Sequence, residues 1–286
     1  MNSRKLKGIL PRGTRRKIGA ALRWLRAQPA RTRRQKEKML ASNSLSSPER
    51  ALLAKVDSRV SCEDGMYKGD GEHYFKVGLS AIRCIDEALH AAQIESVREV
   101  LDMPCGYGRV LRFLVHRFPQ ARVTACELLP DAVRFCAEEL GATPAYSSYD
   151  LDDLFLQAQF DVIWCGSLVT HLDGRRIGDL LRFFARHLVN NGLLIFTTHG
   201  DFVADRIIDV HESYGLNRSD IPALVESYRQ IGQGYLDYPG APGYGVSLTS
   251  PEWVRDQTRL TGELREVYFK ARGWDAHQDV FGFVKK

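Results

Sequence analysis

From residue 98 onward, short apolar runs alternate with stretches of helical period. The runs "REVLDM", "ARVTACE", "TPAYSS", "FDVIWCGS" and "GLLIFTTH" read as strands, while "YGRVLRFLVHRF", "LPDAVRFCAEEL", a short "DLDDLFLQ" and "RRIGDLLRFFARHL" between them read as helices. Strands joined by right-handed helical crossovers make a parallel sheet covered on both faces, a doubly wound α/β fold. The alternation breaks at the end of the chain. "GELREVYF" and "DAHQDVFGFVKK" are separated only by "KARGW", too little for a crossover, so these two strands pair antiparallel and complete a mostly parallel sheet of seven strands.

Upstream, "EHYFKVGLSAIRCIDEALHAA" sets Phe75, Leu79, Ile82, Ile85 and Leu89 along one helical face, and the polar "SNSLSSPER" before it reads as a linker. In "TRRKIGAALRWLRAQP" an apolar stripe of Ile18, Ala21, Leu22 and Leu25 is flanked by Arg and Lys and stopped by Pro29, the pattern of a short basic amphipathic helix. Residues 1–50 are therefore read as a basic, flexible extension and 51–286 as the main domain. Within it, 201–246 holds the Gly- and Tyr-rich "GQGYLDYPGAPGYG" without a clear strand period. It is read as a lid or substrate-facing insertion, and Ser250 with Pro251 starts another helix after it.

Charge sharpens this division. Residues 1–40 carry 14 Lys or Arg against one acid, which leaves 26 of the 40 basic and 34 of the 35 acidic residues, a balance of −8, for the rest. The basic segment suits a salt-sensitive contact with an anionic membrane surface; nucleic acid is the less favoured partner because the body is acidic. No stretch approaches the ~20 apolar residues of a membrane-spanning helix, and Arg23 and Arg26 interrupt the one candidate signal-like run. Six cysteines show no C-x-x-C pair and no ligand rhythm with the histidines, which predicts a reducing, cytoplasmic compartment and no metal site.

The chemistry gathers at "LDMPCGYGRVLRFL". A strand, a turn with Gly106 and Gly108, and a helix make a cradle at a strand end. The dinucleotide pattern G-x-G-x-x-G fails at Leu111, a P-loop Gly-Lys-Ser/Thr is absent, and Ser167 lacks the flanking glycines of a hydrolase elbow. What remains resembles the class I S-adenosylmethionine (SAM)-dependent methyltransferases, whose first motif follows the first strand. Asp102, Gly106 and Gly108 match it, Pro104 replaces the first glycine, and the antiparallel end of the sheet fits as well.

That resemblance implies SAM as cofactor. Cys105, Gly106 and Gly108 would form the floor of its site, and Asp102 would orient the turn or accept the ligand's ammonium. Glu127, ending the second strand, can accept both hydroxyls of a ribose. Asp150, or Asp152 in its place, matches the position of an adenine-contacting acid, and Gly166 lies where the fourth strand faces the methyl group. Tyr67, His73 and Tyr74 precede the first strand in a region that closes over the cofactor in that family.

For the acceptor side, His171 and His199 follow the fourth and fifth strands and are the candidate bases. The segments "DMPCGYGRVLRF", "IWCGSLVTHL" and "LLIFTTHG" resemble methyltransferases associated with bacterial glycosyltransferases and surface-polysaccharide genes. They imply O-methylation of a sugar, glycan or other small polar acceptor. RNA methylation, nicotinamide-dependent oxidoreduction and non-catalytic SAM binding are the alternatives.

Overall fold

The computed structural model describes residues 29–209 and 212–286. The amphipathic stretch read before Pro29, and with it most of the basic segment expected to touch a membrane, lies outside the described residues. The chain divides into two compact units between Phe75 and Lys76.

In the first unit, residues 29–41 form helix α1 and Ser47–Lys55 form α2. The Ser/Pro stretch expected to be a linker instead starts α2. The Ser46 hydroxyl accepts the Glu49 N–H, and the Glu49 carboxylate accepts the Ser46 N–H at 2.9 Å, a reciprocal cap. Tyr67 and Tyr74 are buried in this unit with their rings edge to face at 5.8 Å, and the Tyr74 hydroxyl donates to Asp64 at 2.7 Å. Helix α3, Gly71–Ala92, spans the division, and its predicted apolar face (Phe75, Leu79, Ile82, Ile85, Leu89) is buried.

The second unit is a seven-stranded sheet. Its strands are β1 (Glu99–Asp102), β2 (Arg122–Glu127), β3 (Thr143–Tyr146), β4 (Phe160–Cys165), β5 (Leu188–Thr198), β8 (Leu264–Trp274) and β9 (Gln278–Lys285), in the order β3-β2-β1-β4-β5-β9-β8. The first five run parallel, and β9 lies antiparallel between β5 and β8. This is the doubly wound, mostly parallel sheet expected. The turn between the last two strands falls at Asp275–His277, so β8 runs through the "KARGW" segment read as a turn, with its pairing shifted between Lys270 and Trp274.

The crossover helices are α4 (Leu111–Arg117), α5 (Pro130–Leu140) and α6 (Gly174–His187). Ile177, Leu180, Leu181, Phe183 and Phe184 of α6 meet Ile163, Leu194 and Phe196 of the sheet in one core, where truncating a buried phenylalanine to alanine costs about 3–5 kcal/mol. The segment "DLDDLFLQ" forms turns and not the short helix expected. The Asp150 side chain accepts the Asp152 N–H at 3.0 Å, a local bond that competes with helical pairing.

Between β5 and helix α9 (Pro251–Arg259, capped by Ser250 as expected) lie α7 (Asp201–Asp209), α8 (Ile221–Ile231) and a hairpin of β6 (Gln233–Tyr238) and β7 (Ala241–Thr249). The absence of a strand period read here was mistaken. Val246 and Leu248 enter a small core with Leu224, Val225 and Tyr228, but Gly243, Tyr244 and Gly245 precede them and the intervening Ser247 and Thr249 are buried too, so the simple apolar-polar alternation of a half-buried strand is masked.

Candidate functional site

The chemistry-bearing residues collect where β1, β2, β4 and β5 end, the carboxyl edge at which open parallel sheets hold ligands. After β1 the chain turns through Cys105–Gly108. Cys105 N–H donates to Cys126 O at 3.0 Å, and Gly106 N–H donates to Glu127 Oε2 at 3.1 Å, so the turn after β1 is fastened to the end of β2. The other Glu127 oxygen accepts the Leu128 N–H at 2.7 Å. A carboxylate offers about four lone-pair directions, so two of them stay available.

The two glycines answer different demands. Both adopt positive φ, +49° at Gly106 and +77° at Gly108. A Cβ at Gly106 would meet nothing within 4 Å, so that side of the turn is open space. One at Gly108 would collide with Leu140 and stand 3.2 Å from Cys136 Sγ, so Gly108 admits helix α5. The Cys105 thiol points to Gly106 O at 3.3 Å, as does Cys136 at 3.4 Å, and the hydrogen bond with Cys136, followed by burial, pushes the Cys105 pKa far up.

Asp102 is 1% exposed, and its Oδ2 has no hydrogen-bond partner. Burial first and the nearby Glu127 charge second raise its pKa well above the carboxylate range, against the pull of Arg109. An orphaned acidic oxygen beside an open glycine turn and a carboxylate with spare acceptor capacity fits a ligand that brings an ammonium and a ribose. Arg112, which the sequence reading missed, is 0% exposed and braces the turn from behind, donating to Gly108 O at 2.8 Å and Tyr107 O at 3.2 Å. Its helical spacing alone marks it as a solvent-facing arginine.

Gly166, after β4, sits against two tryptophans. A Cβ there would come 2.9 Å from Trp164 Nε1 and 3.1 Å from Trp274, whose rings pack edge to face at 5.5 Å. Ser167 follows with φ +62°, held by its N–H to Thr197 Oγ1 at 2.8 Å and by Gln278 donating to its hydroxyl at 3.0 Å. This fixed bend leads into a short 3-10 turn, Val169–His171.

His171 Nδ1 lies 2.8 Å from Gly245 O and 3.2 Å from the Tyr238 hydroxyl, and its ring stacks on Tyr244 at 4.7 Å and 28°. A carbonyl only accepts, so Nδ1 carries the proton and Nε2 is left as the basic nitrogen. Burial pushes the His171 pKa below its usual value, partly offset by the Gly245 bond. Tyr244 is 46% exposed, and after burial the Glu127 charge raises its phenol pKa. The hairpin tip thus stands within electrostatic reach of the cradle. Its three contacts to His171 were not read from the sequence, although "PGAPGYG" carries turn residues and an aromatic.

His199 has a different environment. It is 5% exposed, its Nδ1 has no partner, and burial, followed by His277 and His171, pushes its pKa down to about 3. Asp150 is exposed and bonded to its own loop, and Asp152 is within 3.8 Å of Arg186. Tyr67 and Tyr74 belong to the first unit. Among the described residues no group of three or more His, Cys, Asp or Glu could hold a metal ion, and no helix is long and apolar enough to cross a membrane.

Residues 101–194 match the family model of a methyltransferase domain. A malonyl-[acyl-carrier protein] O-methyltransferase of Halalkalibacterium halodurans is 24% identical over 215 residues, covering 73% of this chain and 72% of that protein. A trans-aconitate 2-methyltransferase of Rhodopseudomonas palustris is 35% identical over 71 residues, 25% of this chain and 28% of the relative. Among solved structures, a SAM-dependent methyltransferase of Clostridium acetobutylicum shares the fold with a TM-score of 0.51 at 14% identity, over 72% of this chain and 91% of that one. DesVI of Streptomyces venezuelae does so with a TM-score of 0.51 at 14% identity, over 74% and 93%. With a methyltransferase domain beginning in β1 and the Rossmann-like sheet of that fold closed by an antiparallel strand, this chain is a SAM-dependent methyltransferase.

Proposed function

We propose that the protein O-methylates a hydroxyl of a small polar acceptor, of sugar or glycan type, with His171 as general base. Bound SAM supplies an electrophilic methyl group on a cationic sulfur. In this reading Glu127 accepts the ribose hydroxyls, Cys105, Gly106 and Gly108 floor the site, and Asp102 receives the ammonium. His171 Nε2 takes the acceptor's hydroxyl proton as the oxygen attacks, while Tyr238 at Nδ1 and the stacked Tyr244 hold the ring in place. His199, with its pKa near 3, is too weak a base for this step and serves as a neutral buried wall.

The observation that carries the reading is the 2.8 Å contact of His171 Nδ1 with Gly245 O, which leaves Nε2 free to accept a proton. A hydroxyl acceptor has a proton to give up; a carboxylate has already lost it near neutral pH. The second reading follows from the two curated relatives, whose names, malonyl-[acyl-carrier protein] O-methyltransferase and trans-aconitate 2-methyltransferase, denote acids as acceptors. Neither names a sugar, so the association with surface polysaccharide rests on motif resemblance alone.

Radiolabelled methyl transfer from SAM into acceptor pools of the source cell separates the two. An ether product keeps its label in mild alkali, whereas a methyl ester loses it as methanol. Alkali-stable label, lost in His171→Ala while SAM still binds, is expected. Alkali-labile label with full turnover in His171→Ala would assign a carboxyl acceptor.

A further inference from the structure

Three residues at the turn of the β6–β7 hairpin converge on one imidazole. Gly245 O and the Tyr238 hydroxyl approach His171 Nδ1, and the Tyr244 ring lies over its face. The hairpin is rigidly placed for this. Gly243 N–H donates to Asp237 Oδ1 at 2.8 Å, Arg176 of α6 donates to Gly243 O, and Thr249 N–H donates to His199 O at 2.9 Å, which ties β7 to the end of β5. A side chain at residue 245 would collide with Leu236 O across the hairpin, so glycine there is what lets its carbonyl reach His171.

Resting on the hydroxyl-methylation reading above, we infer that Gly245 and Tyr244 are positioning residues for His171: the Gly245 carbonyl fixes the proton on Nδ1, and the Tyr244 ring supports the imidazolium formed during transfer. The balance is simple. The acceptor O–H bond breaks as its proton joins Nε2, the oxygen forms the new bond to the methyl carbon, and the sulfur keeps the electron pair of the broken C–S bond. The ring is then a cation in a half-buried place, and that is the state a stacked aromatic face favours. The insertion between β5 and α9 therefore carries part of the acceptor-side machinery and does more than connect two elements.

The titratable groups that bear on His171 are Tyr238 and Tyr244 from the hairpin and His199 from the end of β5. His199 stays neutral above pH of about 3, and both phenols have pKa values raised above their ordinary range, so none of them titrates together with His171.

Nitrogen-15 NMR of the full chain, saturated with S-adenosylhomocysteine, reads both parts without knowledge of the acceptor. The wild type should show His171 protonated on Nδ1. Tyr244→Phe should leave the His171 pKa in place, and Tyr244→Leu, which fills similar space without a π face, should lower it by about half a pH unit. Gly245→Ala should mix the two tautomers; should that variant not fold, the Tyr244 pair still decides. An Nε2–H tautomer in the wild type, or a Tyr244→Leu pKa equal to or above that of Tyr244→Phe, overturns the inference. Full turnover by His171→Ala would instead remove the base while leaving these spectra readable, so the two failures are distinct.

Discussion

The main-chain N–H of Gly106 donates to the side chain of Glu127 at 3.1 Å, joining the turn after β1 to the end of β2. The two residues are far enough apart in sequence that only the parallel pairing of β1 with β2, in the register Asp102 to Ala125, brings them together. The carboxylate is thus oriented before any ligand arrives, and an oriented acceptor loses less freedom on binding.

Because the two glycines are needed for different reasons, their alanine variants should fail differently. Gly108→Ala, with positive φ and a clash against Leu140, should lose about 2–4 kcal/mol of stability. Gly106→Ala should lose only about 1–2 kcal/mol from its backbone conformation and about tenfold or more in SAM affinity, since its new methyl enters the cradle. Thermal unfolding and calorimetric titration of both variants check the split.

Asp102 predicts a pH-dependent affinity. Burial and Glu127 raise the pKa of its carboxyl well above the ordinary value, and an arriving ammonium favours the ionised form, so binding releases a proton wherever the free carboxyl is still protonated. SAM affinity should therefore tighten as pH rises toward the Asp102 pKa, by up to about tenfold per unit, and flatten once the free carboxyl ionises. Asp102→Asn should bind more weakly and without that slope. Titrations in buffers of different ionisation enthalpy count the proton; a count of zero would show that Asp102 only orients the turn.

Much of this was legible in the sequence. The strand-helix alternation gave the sheet, and the spacing of Asp102, Gly106 and Gly108 located the turn that packs against Glu127. The hairpin was not legible, because Gly234, Gly243 and Gly245 stand where a strand normally shows side chains and so erase its period. Arg112 was hidden for another reason. Periodicity assigns arginine to the solvent face, whereas the carbonyls of Tyr107 and Gly108, both turned toward the Arg112 side chain, create a buried place for a guanidinium that only the folded turn reveals.

His199 predicts acid sensitivity of the fold. Its folded pKa near 3 lies below the unfolded value of about 6.5, so above that value both states are neutral and the residue contributes no pH dependence. As pH falls below 6.5 the unfolded chain takes up a proton that the folded one refuses, and stability drops by about 1.4 kcal/mol per unit until pH nears 3. Urea unfolding from pH 7 to pH 5 should be less steep by one proton in His199→Asn than in the wild type. Equal slopes would mean that His199 is already protonated in the fold.

The central claim is that Glu127, held by Gly106, grips the ribose of SAM. Calorimetric titration of SAM into Glu127→Gln tests it, since the amide oxygen can still accept the Gly106 N–H while the charged acceptor is gone. Hydrogen bonds to a charged group are worth about 1.5–3 kcal/mol, so the affinity should fall about 10- to 100-fold, while the fold loses only the Leu128 N–H bond to the second oxygen, about 1 kcal/mol. Wild-type affinity in that variant would contradict the account.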